Sequence, residues 1–325
     1  MGRQARPRAP ALAASRGPGL ATRARALGLA LVGVLLAGSA RAEQGTFARG
    51  ALGGRAYRLY VPAGAAAGPR PLVVALHGCF QTPEDLALGT RLNDAAERRG
   101  LLVLYPAQGP GDNASRCWNW FDPAHQGRRS GEVAEILALV REVGRAHAVA
   151  PGRTVVLGLS AGGFMAVNLL CAAPDLVAGV GVVAGGPYRC GVGEAGALQC
   201  MRGQGLDGAA AAAACLTASG ASAIRARASL WQGAEDTVVA PANLTALETM
   251  FARLAGAVAG TTERQEGALR ARWRDAEGRA VLEAWLLPGL GHAWSGGDPR
   301  GTHASPRGPD ATAHVLDFLL GPPPR

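Results

Sequence analysis

Short apolar runs alternate with helix-forming segments along most of the chain, and this alternation limits the folds that it can adopt. Residues 71–77 (PLVVALH) form an uninterrupted apolar run, as expected of a strand that is buried on both faces. A second run, over 154–158, passes directly into a helix predicted to end at residue 173. Strands and helices in this order build a mostly parallel sheet with helices on both faces. We therefore expect an α/β fold.

The other predicted elements follow the same pattern. Alternating apolar and polar residues indicate an early antiparallel strand over 56–61. We expect further strands over 101–105, 176–184, 229–232 and 281–287, and helices over 82–99, 131–147, 309–320 and after Pro241. An Ala-rich stretch interrupts the alternation. Together with Cys190, Cys200 and Cys215 it predicts a disulfide-pinned insertion over the sheet, around 186–227.

The first 42 residues have the order of an export signal. An Arg-rich segment, 1–25, precedes an apolar run of 13 residues, 26–38, and an Ala-x-Ala sequence follows at 40–42. A membrane anchor needs about 20 apolar residues. We therefore predict that residues 1–42 are a signal peptide, that no stable membrane anchor remains after cleavage, and that 43–325 form a single domain. Such a signal predicts export and leaves both secretion and the periplasm open.

The net charge does not indicate a nucleic-acid-binding protein. All 33 basic residues are Arg, and seven of them lie in the predicted signal, which contains no Asp or Glu. The remaining 26 Arg stand against 24 acidic residues, so the rest of the chain is close to neutral. A basic groove for phosphates is therefore not expected.

The six cysteines all follow the predicted signal: Cys79, Cys117, Cys171, Cys190, Cys200 and Cys215. An even number of cysteines in an exported chain indicates disulfide bonds. Zinc is disfavoured because the sequence has no Cys-x-x-Cys pair and no cluster of histidines beside a cysteine. Six cysteines can pair in many ways, so their number alone leaves the pairing open. We expect no metal and no organic cofactor.

Ser160 stands in a G-x-S-x-G motif, 158–162, between the strand over 154–158 and the helix that follows it. The motif alone is weak, but a strand–turn–helix setting is typical of a nucleophilic serine. The two glycines suit a tight turn, and the positive end of the helix favours developing negative charge. The alternative is a capping serine in a glycine-rich turn.

A nucleophilic serine needs a general base, and His292 is the favoured candidate among six histidines. It follows the last predicted strand, where a triad in the order Ser, Asp, His places its base. The acid that orients the histidine should follow the strand over 229–232, where Glu235 and Asp236 compete. We prefer Asp236 because it is shorter and stands at the expected position. A buried loop imidazole and a solvated carboxylate are the alternatives.

Acyl transfer places negative charge on a carbonyl oxygen, which two backbone N–H groups normally bind. One should belong to Ala161, directly after the serine. The other should follow the strand that ends at His77, and either Gly78 or Cys79 could supply it. We prefer Cys79 as the second donor. The alternative is that these residues form an ordinary turn at the end of the strand.

These residues together resemble the α/β-hydrolase superfamily, and more narrowly the polyhydroxybutyrate depolymerase family, whose relatives include feruloyl and acetylxylan esterases. The resemblance covers roughly residues 45–320. Its most specific segments are Cys-Trp-Asn-Trp-Phe at 117–121 and Gly-His-Ala-Trp-Ser-Gly-Gly at 291–297. The other matching segments are Leu-His-Gly-Cys-Phe-Gln at 76–81, Tyr-Pro-Ala-Gln at 105–108, Gln126, Arg128, Gly-Glu at 131–132, Gly233 to Val239 and Gly-Pro-Asp at 308–310.

The resemblance implies the same triad, namely Ser160, Asp236 and His292. It also implies a disulfide between Cys79 and Cys117, which would tie the oxyanion loop to the loop that carries two tryptophans. Loops beside such sites often line the substrate. We therefore expect substrate contact from Trp118, Trp120 and Trp294, with core packing as the alternative.

The resulting hypothesis is a secreted or periplasmic serine esterase that acts through an acyl-enzyme. Its expected substrate is poly- or oligo-3-hydroxybutyrate, and feruloyl or acetyl esters of plant polysaccharide are the alternative. A serine peptidase with the same triad order and a non-catalytic binding module are less favoured.

Overall fold

A ten-stranded sheet organises the part of the chain that the computed structural model describes, residues 45–64 and 68–322. The predicted signal peptide, 1–42, lies outside the described residues. The strands are β1 Thr46–Leu52, β2 Arg55–Val61, β3 Arg70–Leu76, β4 Leu102–Pro106, β5 Val149–Leu159, β6 Gly179–Val183, β7 Arg227–Gly233, β8 Val258–Gln265, β9 Ala268–Arg274 and β10 Ala280–Leu287. Across the sheet they follow the order β1-β2-β4-β3-β5-β6-β7-β10-β9-β8.

The six central strands run parallel, from β4 through β3, β5, β6 and β7 to β10. Antiparallel strands flank them, with β1 and β2 at one edge and β9 and β8 at the other. In β3, Leu72 and Val74 join one apolar core and Val73 joins the other. This two-sided burial explains the uninterrupted apolar run, and the sheet confirms the predicted α/β class.

Helices cover both faces of the sheet. They are α1 Pro83–Thr90, α2 Leu92–Arg99, α3 Gly131–Ala146, α4 Ala161–Ala172, α5 Gly193–Met201, α6 Gly208–Ser219, α7 Ala242–Ala255 and α8 Ala311–Leu320. Helices α1, α2 and α8 share one core with the sheet, and α3, α4 and α7 share the other. Because the six central strands run parallel, their carboxyl ends lie along one common edge of the sheet.

The single helix predicted over 82–99 is two helices. Arg91 has a left-handed backbone, with φ 53°, and separates α1 from α2. The last carbonyls of α1 bond elsewhere: Gly89 O accepts from Asp298 N at 2.8 Å, and Thr90 O accepts from Thr312 Oγ1 at 2.6 Å. The tertiary partners of these carbonyls lie more than 200 residues away, so local sequence could not reveal the break.

The predicted insertion contains α5 and α6, and of its two disulfides one ties it to α4 while the other closes a loop within it. Cys171 of α4 bonds to Cys215 of α6, and Cys190 bonds to Cys200. The sequence predicted that the insertion lies over the sheet. In the structure its helix α6 packs against helices α4 and α7 instead. Strand β1 and the hairpin of β8 and β9 were not predicted. The sequences of β1 and β8 show little apolar alternation, whereas β9 does alternate, with Leu269, Ala271 and Trp273 between arginines.

The junction of β5 and α4 is packed so closely that two positions exclude any side chain. A Cβ on Gly162 would lie 2.1 Å from Leu76 O, and one on Gly158 would lie 2.1 Å from Gly162 O. Both obstacles are backbone atoms. The glycines of the G-x-S-x-G motif therefore allow the first turn of α4 to rest on the end of β3.

Gly162→Ala is expected to lower the free energy of unfolding by about 3 kcal/mol or more, because the backbone atoms that it meets cannot move aside cheaply. Gly144→Ala in α3 is the matched control. Apart from its chain neighbours and the backbone of its own helix, no atom lies within 4 Å of its added Cβ, so stability should stay unchanged or rise by up to about 1 kcal/mol. Denaturant unfolding followed by circular dichroism compares the two. Equal stabilities of the two variants would refute the packing argument.

Candidate active site

Ser160 occupies a strained turn between β5 and α4. Its φ of 56° and ψ of −122° are unfavourable for a residue with a side chain. The turn is held against the end of the neighbouring strand β6, since Ser160 N donates to Val183 O at 2.9 Å. The residue is 7% exposed. The strained conformation is compatible with a serine presented at the carboxyl edge of the sheet.

Asp236 and His292 meet at the same edge. They follow β7 and β10, which are parallel neighbours, and His292 Nδ1 lies 2.8 Å from Asp236 Oδ2. Because Nδ1 donates to the carboxylate, the neutral imidazole keeps Nε2 free to accept a proton. Ser160 Oγ makes no hydrogen bond to His292 in the described structure, so the bonded pair is Asp236 and His292.

Asp236 is built to remain ionised. Its Oδ1 accepts the N–H groups of Val238 and Val239, each at 2.8 Å, and Gln232 Nε2 donates to Oδ2 at 3.1 Å. Burial alone would raise the pKa of Asp236, but the hydrogen bond and charge of His292 and the two backbone N–H groups hold that pKa below its usual value. Glu235, the competing acid, has an exposed side chain.

The turn over 78–81 lies directly beside the serine. A Cβ on Gly78 would be 3.4 Å from Ser160 Cβ. Gly78 N already donates to Gln81 Oε1 at 2.8 Å, so this N–H is occupied. Cys79 N and Ala161 N have no hydrogen-bond acceptor among the described residues. Of the two candidates in this turn, Cys79 therefore has the available N–H.

His77 sets the direction of the Cys79 N–H. Its Nε2 accepts from Gln108 N at 3.0 Å, so the neutral ring carries its proton on Nδ1, which donates to Gly78 O at 2.8 Å. In a trans peptide the C=O and the following N–H point in opposite directions. Holding Gly78 O therefore turns Cys79 N away from the imidazole. Burial lowers the pKa of His77 to about 4, which keeps this ring neutral near pH 7.

The structure contains the Cys79–Cys117 disulfide that the family resemblance implies, with an S–S distance of 2.02 Å. This bond joins the 78–81 turn to the long loop between β4 and α3. Beneath that loop, Glu132 accepts from Asn119 N at 2.8 Å and from Gln108 Nε2 at 2.5 Å, although its side chain is buried. Burial raises the pKa of Glu132.

The roles of His77, Gln81 and this Glu132 network were not predicted from the sequence. His77, Gln81, Gln108 and Glu132 all lie in segments matched by the family resemblance. Their roles depend on hydrogen bonds between distant loops, which residue patterns do not show.

The three tryptophans expected to contact substrate lie in the core, which corrects that expectation. Trp118 and Trp294 are at most 2% exposed and donate their indole N–H groups internally, to His77 O and Thr312 Oγ1, both at 3.0 Å. Trp120 stacks on Phe164 with ring centroids 3.9 Å apart. Large apolar rings gain more by filling the space beneath the loops than by facing water.

Within residues 45–64 and 68–322, no group of three or more His, Cys, Asp or Glu side chains could hold a metal ion. None of the helices described in those ranges is both long and apolar enough to cross a membrane.

Comparison with known proteins gives consistent relatives. The family model described as Esterase PHB depolymerase matches residues 55–274. Poly(3-hydroxyalkanoate) depolymerase C of Paucimonas lemoignei is 34% identical over 263 residues, which are 79% of this chain and 62% of that protein. Feruloyl esterase B of Neurospora crassa is 32% identical over 139 residues, 42% of this chain and 46% of that protein. The chain thus spans less than two thirds of either relative.

A solved structure supports the fold. Acetyl xylan esterase from Aspergillus awamori superposes with a TM-score of 0.68 over 76% of this chain and 94% of that chain, at 22% sequence identity. At this identity the likeness shows the fold alone, which is that of the α/β-hydrolases. Since the family model matches more than half of the sequence, the chain belongs to the esterase PHB depolymerase family.

Proposed function

We propose that the protein is a serine esterase that hydrolyses carboxylic esters through an acyl-enzyme. The observation that carries this proposal is the bonded pair of Asp236 and His292 at the sheet edge where the strained Ser160 lies beside two available backbone N–H groups. These parts are what acyl transfer requires: a nucleophile, an oriented base and donors for an oxyanion.

The proposed reaction has two halves, acylation and deacylation of Ser160, and the same groups act in both. Ser160 Oγ attacks the ester carbonyl while His292 Nε2 takes its proton, and the negative charge on the carbonyl oxygen is bound by the N–H groups of Cys79 and Ala161. His292 then returns the proton to the leaving alcohol. A water molecule, deprotonated by the same imidazole, releases the acid from Ser160. Ionised Asp236 stabilises the imidazolium that forms in each half.

The proposed substrate class rests on the relatives. Esters of hydroxyalkanoates come first because poly(3-hydroxyalkanoate) depolymerase C matches the larger share of the chain. Feruloyl or acetyl esters of polysaccharide are the second candidate, suggested by feruloyl esterase B. We also propose an extracellular or periplasmic location, which the three disulfides support because such bonds persist in oxidising compartments. Residues 1–42 remain a predicted signal peptide.

Purified oxidised protein should hydrolyse short p-nitrophenyl esters and soluble 3-hydroxybutyrate oligomers, and Ser160→Ala should not. Amorphous polyhydroxybutyrate, methyl ferulate and a peptide panel, measured in parallel, identify the substrate class. Turnover of ferulate alone would move the protein to the plant-wall esterases, and turnover of peptides would indicate a peptidase. Turnover that survives in Ser160→Ala, or no turnover at all, would contradict the proposal.

Asp236→Asn should lower kcat by about 10⁴-fold, because an amide no longer holds His292 in the required tautomer. Glu235→Gln is the matched control: it removes the neighbouring exposed carboxylate and should leave kcat within about twofold. Steady-state kinetics on one p-nitrophenyl ester compare the two variants. A similar kcat in both would show that Asp236 does not orient the base.

A further inference from the structure

The side chain of Gln81 joins two loops that flank the candidate active site. It is 2% exposed. Its Oε1 accepts from Gly78 N at 2.8 Å, and its Nε2 donates to Thr302 O at 2.8 Å and to Asp85 Oδ2 at 3.0 Å. A single buried amide therefore connects the 78–81 turn to a segment 221 residues away in the sequence.

Thr302 is held independently by Asp85. Its backbone N–H donates to Asp85 Oδ1 at 3.0 Å, and its hydroxyl donates to Asp85 Oδ2. Thr302 Oγ1 also lies 3.2 Å from Gln81 Nε2. Gln81, Asp85 and Thr302 thus form a closed set of hydrogen bonds, which we call the Gln81 clamp. Asp85 belongs to α1 and fixes the clamp to the body of the protein.

The residue after Thr302 packs on the candidate base. The ring of His303 meets that of His292 edge to face, with centroids 5.6 Å apart and an interplanar angle of 78°. His303 has a left-handed backbone, with φ 53°, and its carbonyl accepts from Trp294 N at 2.7 Å. A positive φ is uncommon for any residue other than glycine, and the hydrogen bond from Trp294 N helps to hold it here.

At its other end the clamp controls the turn that carries Cys79. Gly78 is held through its N–H by Gln81 Oε1 and through its C=O by His77 Nδ1 and, at 3.3 Å, by Gln81 N. With both polar groups of Gly78 fixed, the following N–H has one direction. Oxyanion donors are effective only when they are oriented before the reaction, and small displacements are costly.

We propose that Gln81 is a positioning residue for the esterase reaction, and this inference rests on the function proposed above. Through its amide it holds the Cys79 N–H beside Ser160 and, at the same time, holds the loop that packs His303 on His292. Near neutral pH an amide fits both ends whereas an ionised carboxylate does not, because Oε1 must accept a hydrogen bond while Nε2 donates.

Two substitutions test the acceptor and the donor of the Gln81 amide. Gln81→Leu removes both bonds and should lower kcat for a p-nitrophenyl ester by about 100-fold, the loss typical of a displaced oxyanion donor, while KM changes by less than about threefold. Gln81→Glu keeps an acceptor but places a second carboxylate against Asp85. At low pH the two carboxylates can share a proton, which restores a donor, and at higher pH both ionise and repel each other.

The pH profile therefore carries the test. The ratio of kcat/KM in Gln81→Glu to that in the unsubstituted protein should fall about tenfold between pH 5 and pH 8. Gln204→Glu, at an exposed glutamine outside the clamp, is the matched control and should give a flat ratio near one. Thr302→Val, which removes one hydroxyl of the clamp, replaces Gln81→Leu if that variant does not fold, with a smaller loss of kcat.

Kinetic outcomes separate the two proposals. Loss of kcat with a pH-dependent Gln81→Glu ratio supports the clamp. Folded Gln81 variants with kcat within about threefold of the unsubstituted protein, or a flat Gln81→Glu ratio, overturn it while leaving the esterase intact. Absence of Ser160-dependent turnover in the unsubstituted protein overturns the proposed function, and the positioning role with it.

Discussion

The contact between the first turn of α4 and the ends of β3 and β5 is the constraint on which the rest of the site depends. Gly158 and Gly162 allow backbone to approach backbone more closely than any side chain would permit. This approach places Ser160 in its strained turn and brings the residues that follow β3 against it. Strain of this kind persists only where the surroundings fix the backbone, and here two buried cores lie on either side of the sheet.

Around this contact, the loops are ordered by buried polar groups rather than by regular structure. Neutral His77 holds Gly78 O, Glu132 holds the loop that follows β4, and Asp236 is surrounded by donors that keep it ionised. Each group is buried and hydrogen-bonded, which is the condition for a polar group to be tolerated inside a protein. The Cys79–Cys117 bond adds a covalent link between two of these loops.

Much of this arrangement follows from sequence. Continuous apolar runs identified the parallel strands, and the strand–turn–helix context singled out Ser160. Chain order then placed Asp236 and His292 after β7 and β10, and the structure brings these two side chains together. The sequence also favours Cys79 over Gly78 and Asp236 over Glu235, and the structure adds the physical reasons: the Gly78 N–H is already bonded, and Asp236 is the buried carboxylate.

Other features could not be read from residue patterns. Arg91 interrupts a helix because partners from distant segments bind the last carbonyls of α1. Trp118, Trp120 and Trp294 sit in loops beside the site, yet their rings fill the core, since a loop position does not determine which way a large side chain points. The Gln81 clamp joins residues 221 positions apart, beyond any local signal.

The most direct measurement of the central claim is covalent labelling with a fluorophosphonate, followed by peptide mass spectrometry. If Ser160 is the nucleophile activated by His292, the reagent should modify the peptide that contains Ser160 stoichiometrically, and His292→Ala should slow this labelling by orders of magnitude. No labelling, labelling at a different serine, or an equal rate in His292→Ala would contradict the account.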